Sequence, residues 1–126
     1  MVERIADLPD NVLGFRGRGK VTGEDYEKVI IPAVEREFSR RDKVSFLCHL
    51  DEDFTGIEPS AVWDDTKIGF RHFSGWERMA VVTDVDWIRA AVKLFGLAIP
   101  GRVRVFRNKD FAEAKRWITE PRTAAA

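Results

Sequence analysis

The sequence predicts a single α/β domain with a mixed β-sheet of four or five strands and four helices. Segments with a hydrophobic period of two alternate with segments of helical period, in the order β-β-α-β-α-β-α-β-α. A chain of 126 residues, 44% of them hydrophobic, can bury one core without disulfides. Strand-helix-strand units favour parallel pairing, and an opening hairpin adds an antiparallel strand. We predict that the domain covers residues 1–120 and that residues 121–126 are a mobile tail.

Turn residues and helix-capping residues set the bounds of the predicted elements. Thr22 with Asp25, and Thr83 with Asp86, have the spacing of a capping box and predict the starts of the first and third helices. The predicted strands are residues 4–8, 13–21, 44–50, 76–82 and 102–106, and the predicted helices are residues 23–39, 59–73, 84–96 and 108–118.

Two irregular segments are expected between these bounds. Pro32 lies inside the first helix and removes one backbone donor, so the helix should bend or open near Lys28. The acidic segment 51–56 follows a strand and precedes Pro59, and its composition predicts a loop.

Composition limits the partners and the location. Lysine plus arginine and aspartate plus glutamate each number 21, so the formal net charge is +0 and long-range attraction to nucleic acid is weak. No apolar run has the length of a signal sequence or of a bilayer span. We therefore expect a cytoplasmic protein that is not integral to a membrane and does not bind nucleic acid.

The sequence offers little for catalysis. Only two histidines, His49 and His72, are available as general bases. Cys48 and His49 are adjacent on a predicted strand, so their side chains should point to opposite faces and cannot act as a nucleophile-base pair. We expect no enzyme activity, no metal site and no cofactor.

Aromatic side chains are concentrated on the second and third helices. They can fill the core, form a dimer surface or line an apolar ligand groove. Gly69, Gly75 and Gly96 adjoin these helices and are places where the pair could open. The predicted ligand site between the two helices consists of Trp63, Phe70, Trp87, Ile88, Val92 and Phe95.

Several motifs together resemble the SpoIIAA-like family of small bacterial proteins. They are Gly-Lys-Val-Thr-Gly-Glu-Asp-Tyr at 19–26, Ile31-Pro32, Phe54 with Gly56, residues 61–70 with Trp63-Asp64-Asp65 and Lys67, Trp76-Glu77-Arg78-Met79-Ala80-Val81-Val82, Val105-Phe106 and residues 112–117. The resemblance implies a fold related to STAS domains, anti-sigma-factor antagonists and CRAL-TRIO lipid-binding domains. It also implies a small apolar or lipid-like ligand, a protein partner or a homodimer.

The same resemblance suggests an alternative, a phosphorylation-controlled interaction module. Anti-sigma-factor antagonists carry a phosphorylated serine in an Asp-x-Ser-Gly run, and Asp53-Phe54-Thr55-Gly56 matches that run if threonine replaces serine. Phe54 departs from the pattern, and Pro59 moves the predicted helix start downstream. Thr55 is the phosphoacceptor in this alternative, and the added charge would repel an acidic partner.

Overall fold

The computed structural model describes residues 1–120, and the predicted tail, 121–126, lies outside the described residues. It contains one five-stranded sheet in the order β1-β2-β3-β4-β5. The strands are β1 Val2–Arg4, β2 Val12–Val21, β3 Val44–Ile57, β4 Trp76–Val82 and β5 Arg102–Phe106. The pair β1–β2 is antiparallel and all other pairs are parallel. The predicted mixed α/β fold is confirmed.

Four helical segments connect or follow these strands. The first, α1, covers 23–40 and joins an α-helical turn at Gly23–Asp25, a π-helical segment at Tyr26–Ile30 and an α-helix at Ile31–Arg40. The others are α2 at Pro59–Arg71, α3 at Asp86–Gly96 and α4 at Phe111–Thr119, the last preceded by a 3₁₀ turn at Asn108–Asp110.

The helices divide the sheet into two different faces. One core cluster joins the sheet to α1 and α2, with Phe95 of α3 packed against it, and we call this side the three-helix face. A second cluster joins the sheet to Ala114 and Ile118 of α4 on the opposite side, the α4 face. Sequential parallel strands joined by right-handed crossovers place their helices on one side of a sheet, as found for α1 to α3.

The capping box at Thr22 and the opening in α1 are both present. The Thr22 hydroxyl accepts from Asp25 N at 3.1 Å, and the Asp25 carboxylate accepts from Thr22 N at 2.8 Å. The π-helical segment before Pro32 has the N–H of Ile31 bonded to the Tyr26 carbonyl. Because Pro32 has no N–H, the Lys28 carbonyl loses its α-helical donor, and the ladder widens there.

The loop predicted at 51–56 is wrong, because β3 continues to Ile57. Phe54, Gly56 and Ile57 pair with β2 after two register shifts around Gly19, whose φ is 55°. Glycine adopts this left-handed conformation without a steric penalty, so β2 can bend and follow β3. The extension lies beyond the last β3–β4 pair, His49 with Val82, and so forms a two-stranded ribbon.

Two further predicted bounds are wrong. The first strand ends at Arg4 rather than beginning there, because Asp7 has a φ of 63° that extended backbone does not allow. The third helix begins at Asp86 with Val85 as its N-cap, so Thr83 is not the cap. The Thr83 hydroxyl instead accepts from Val85 N at 3.1 Å in the turn before the helix.

Candidate functional site

On the three-helix face of the sheet, side chains become less buried from β2 toward β5. Two rows of side chains cross it from β2 to β5 in register, Leu13–Phe46–Met79–Val103 and Phe15–Cys48–Val81–Val105. Leu13, Phe15 and Phe46 are buried, whereas the remaining five side chains keep partial contact with solvent. Partial exposure is expected for β5 as an edge strand, but β3 and β4 are interior strands. The helices therefore cover the β2 side of this face and leave the β4 side half-open.

The two faces of β4 show the same asymmetry within one strand. Arg78, Ala80 and Val82 point to the α4 face and are all buried. Met79 and Val81 point to the side that carries three helices, yet both are only half-buried. A single helix thus closes one face more completely than three helices close the other. On this side of β4, the helices therefore leave Met79 and Val81 partly accessible.

A carboxylate from α2 lies on the same side of the sheet. Asp65 lies one turn after Ala61 and one turn before Ile68, both of which are buried against the sheet, so it shares their inward stripe. Its side chain nevertheless counts as exposed, while burial raises the pKa of its carboxyl above the ordinary value of 3.8. The carboxylate is therefore accessible to solvent while protein atoms lie close to it.

Tyr26 and Cys48 are the polar neighbours of Asp65. The Tyr26 hydroxyl donates to Asp65 Oδ1 at 2.8 Å. Burial and the adjacent Asp65 hold the pKa of Tyr26 well above 10.0, so this hydroxyl keeps its proton. Burial, with a smaller effect of Asp65, raises the pKa of the Cys48 thiol to about 12. The region around them therefore has an apolar floor and one polar end that is rich in acceptors.

We call this region the helix-face cleft. Its floor and polar end are formed by Tyr26, Cys48, Asp65, Met79, Val81, Val103 and Val105. Phe95 of α3 closes it toward α2, because its ring would lie 3.1 Å from a Cβ on Gly69.

The six residues predicted to line a ligand site fall into two groups. Ile88 is buried, and Val92 and Phe95 are half-buried on the inward side of α3. Trp63 and Trp87 are exposed, at 63% and 57% of their surface. Phe70 is also exposed, but its ring meets Phe95 edge to face at 6.0 Å. The structure thus brings Phe70 and Phe95 together and leaves the two tryptophans on the outer surface of the helices.

The glycines expected to act as hinges are sites of close packing. A Cβ on Gly96 would lie 2.9 Å from Val103, and one on Gly75 would overlap the ring of Phe38. Phe95 likewise lies close to Gly69. Because glycine has no side chain, α2, α3 and the sheet can come close together at these three positions. Opening of the helix pair at these positions stays a prediction.

The other residues singled out by the sequence have separate roles. Thr55 is exposed on the β3 extension, four residues before α2 begins, and its phosphorylation stays a prediction. His49 points to the α4 face, stacks on Phe111 at 4.2 Å and contacts Asn108 at 3.1 Å. It is thus separated from Cys48, as predicted. His72 bonds Glu35 at 2.9 Å and serves to join α1 to the end of α2.

The α4 face holds a second, more polar opening of about 270 Å³ near the amino ends of the strands. Arg78 borders it and donates to the Trp117 carbonyl at 2.7 Å. The lining residues are Pro9, Asn11, Val12, Ser45, Glu77, Arg78, Ile118, Thr119 and Glu120. This polar lining is less suited to an apolar ligand than the helix-face cleft.

Asp65 and Tyr26 were not predicted as site residues. The signal was present in part, because Asp65 falls between Ala61 and Ile68 at helical spacing and so lies on the same stripe of the helix. A carboxylate on an inward stripe needs a partner or a polar cavity. The partner, Tyr26, lies 39 residues away, and no local pattern joins the two.

The raised pKa of Asp65 predicts that asparagine at this position stabilises the fold at neutral pH. The raised pKa means that the folded protein favours the protonated form of Asp65. The stability that Asp65 contributes is therefore fully present below pH 3.8 and is lost as the pH rises through the pKa of the folded state. Asp65→Asn should therefore increase the free energy of unfolding at pH 7, and the gain should shrink toward pH 3.

Urea unfolding of the two proteins across this pH range tests the prediction. The exposed Asp86 supplies the matched variant Asp86→Asn, for which no such pH-dependent gain is expected. Lower stability of Asp65→Asn than of the parent at pH 7 would contradict the account of this carboxylate.

The chain is similar to one family of proteins and to a solved structure. A family model described as SpoIIAA-like matches residues 12–119. Among solved structures, an uncharacterized protein from the DUF3478 family with a SpoIIAA-like fold, from Shewanella loihica PV-4, is 25% identical and has a TM-score of 0.72. That match covers 94% of this chain and 92% of the other. The curated proteins give no match. None of the helices in the described part of the chain is long and apolar enough to cross a membrane.

Proposed function

This chain belongs to the SpoIIAA-like family, and on that basis we propose that it is a nonenzymatic STAS-like module that binds a small apolar or lipid-like ligand in the helix-face cleft. The observation that carries the proposal is the partial exposure of an interior strand: the apolar side chains of Met79 and Val81 in β4 keep solvent contact on the side that three helices cover. Apolar floors with few polar groups are typical of small-molecule sites.

The packing of α3 supports access to this floor. Ile88 anchors the start of α3 in the core, and Gly96 holds its end close to Val103 of β5. Between these anchors Val92 is only half-buried. An apolar chain in the cleft would cover Val81 and Val92, and removing their apolar surface from water contributes about 25 cal/mol per Å².

The outer surfaces of α2 and α3 support a further role in association. The two helices and the residues that directly follow them expose large apolar side chains, namely Val62, Trp63, Phe70, Phe73, Trp87, Leu94 and Leu97. A homodimer or a protein partner would cover such a surface. The oligomeric state is measured by light scattering of the purified protein.

The binding proposal is tested with a neutral fluorescent probe, N-phenyl-1-naphthylamine. We expect saturable binding at one site per chain. Val81→Phe fills the floor of the cleft and should weaken binding at least tenfold, since the added ring occupies the volume that the probe needs.

The matched control places the same ring outside the cleft. Leu94 is 70% exposed on α3, so Leu94→Phe should leave the affinity unchanged. Folding of both variants is checked by thermal melting. Absence of saturable binding by the parent protein, or equal effects of the two substitutions, would rule out this site.

A further inference from the structure

The chemistry at the polar end of the helix-face cleft selects among amphiphiles. This inference rests on the proposed apolar site and concerns the headgroup that the site accepts. Asp65 and Tyr26 provide the strong hydrogen-bonding groups there. A ligand whose chain lies on the floor would place its polar end near this pair, where Asp65 has further acceptor sites.

The polar groups at this end of the cleft are mainly hydrogen-bond acceptors. The single proton of the Tyr26 hydroxyl is donated to Asp65, so Tyr26 can offer a ligand only a lone pair. The Asp65 carboxylate has about four acceptor sites and uses one of them for Tyr26. The Cys48 thiol is a weak donor. The cleft therefore presents acceptors and lacks a strong free donor.

The charges near this end have one sign. Asp64 also acts on Tyr26 as a negative charge. Lys67 lies two residues after Asp65, is 55% exposed and is 3.9 Å from Asp64, so on a helix it points away from the inward stripe. Burial and the hydrogen bond from Tyr26 are the causes of the shifted pKa of the Asp65 carboxyl, with burial the larger.

We infer that the ligand of the helix-face cleft is an apolar chain with a hydrogen-bond donor headgroup, an alcohol or an amine, and that fatty-acid anions are disfavoured. A hydroxyl or ammonium group donates to the free acceptor sites of Asp65. A carboxylate has no proton to donate, and its negative charge repels Asp65 at close range.

Three probes with the same twelve-carbon chain test this inference: 1-dodecanol, dodecylamine and dodecanoate. Each is titrated at pH 7.5, below its solubility limit and below any critical micelle concentration, against the parent protein loaded with N-phenyl-1-naphthylamine. We expect dodecanol and dodecylamine to displace the dye at concentrations at least tenfold lower than dodecanoate. Differences between the alcohol and the amine separate neutral from cationic headgroups.

Two variants connect this preference to one carboxylate. Asp65→Asn keeps the shape of the side chain and adds an N–H donor, so dodecanoate should bind at least tenfold more tightly and dodecylamine more weakly than in the parent. Asp86→Asn removes an exposed charge on α3 and should leave the order of the three probes unchanged.

The two proposals fail in different ways. Equal or tighter binding of dodecanoate by the parent protein overturns the headgroup inference while the apolar site stands. A preference for the alcohol that survives in Asp65→Asn also overturns it. Failure of the dye and of all three chains to bind overturns both proposals.

Discussion

Alanine in place of Trp76 should lower the free energy of unfolding by about 3–5 kcal/mol, the range for removing a fully buried large aromatic side chain. Trp76 is 2% exposed. Its ring meets Phe38 of α1 and Phe46 of β3 edge to face, at 5.0 and 5.8 Å. Its Nε1–H donates to the Gly69 carbonyl at 3.2 Å. One side chain therefore joins α1, α2 and the sheet, and its loss leaves a cavity between them.

A second tryptophan provides the control. Trp63 is exposed on α2, so Trp63→Ala should change the free energy of unfolding by no more than about 0.5 kcal/mol. Urea titration followed by circular dichroism measures both variants under the same conditions. Similar losses for the two substitutions would contradict the assignment of Trp76 as the central packing residue of the three-helix face.

The Cys48 thiol should react with iodoacetamide about fiftyfold more slowly than an ordinary thiol at pH 8. Its pKa of about 12, against 9.0 for an unperturbed group, lowers the thiolate fraction about a thousandfold. A more basic thiolate is a better nucleophile, with a Brønsted coefficient of about 0.4–0.5. This higher nucleophilicity recovers a factor of about 15–30 of the thousandfold loss in rate.

The pH dependence of this reaction gives a second, independent readout. Because the thiolate is the reactive form, the rate should rise about tenfold per pH unit and show no plateau near pH 9. The same protein in concentrated urea should recover ordinary reactivity and a plateau near pH 9. A plateau near pH 9 in the folded protein would mean that Cys48 does not lie in a crowded environment at the sheet.

The regular elements could be predicted because their local signals agree with the tertiary structure. The fourth and fifth strands, residues 76–82 and 102–106, have the predicted bounds. The first helix begins at the predicted capping box and opens before Pro32, where one donor is missing. The SpoIIAA-like resemblance is confirmed over residues 12–119. Each signal lies within a few residues of the feature that it determines.

The β3 extension could not be predicted in this way. Segment 51–57 is acidic and lacks hydrophobic alternation, because only β2 pairs with it and it is open to solvent. Its strand conformation depends on Gly19, more than thirty residues earlier, which lets β2 follow it. Local composition therefore predicts a loop, while the pairing partner makes a strand.

The candidate site shows the same limit. Sequence reasoning assigned aromatic residues to a groove between α2 and α3, and Trp63 and Trp87 lie on the outer surface instead. Whether an aromatic side chain on a broad apolar helix face points inward depends on where the helix sits on the sheet. The half-open floor at Val81 and the approach of Asp65 to Tyr26 are consequences of that placement.

The most direct test of the helix-face cleft is a methyl NMR titration of the isotope-labelled protein with 1-dodecanol. The account predicts saturable shifts for methyl groups on the cleft side, at Met79, Val81, Val92, Val103 and Val105. Methyl groups on the α4 face, at Val12, Leu47, Val82 and Ile118, serve as the internal reference and should stay in place. Shifts limited to the exposed Leu94 and Leu97, shifts on the α4 face, or no shifts at all would contradict a ligand site between α2, α3 and the sheet.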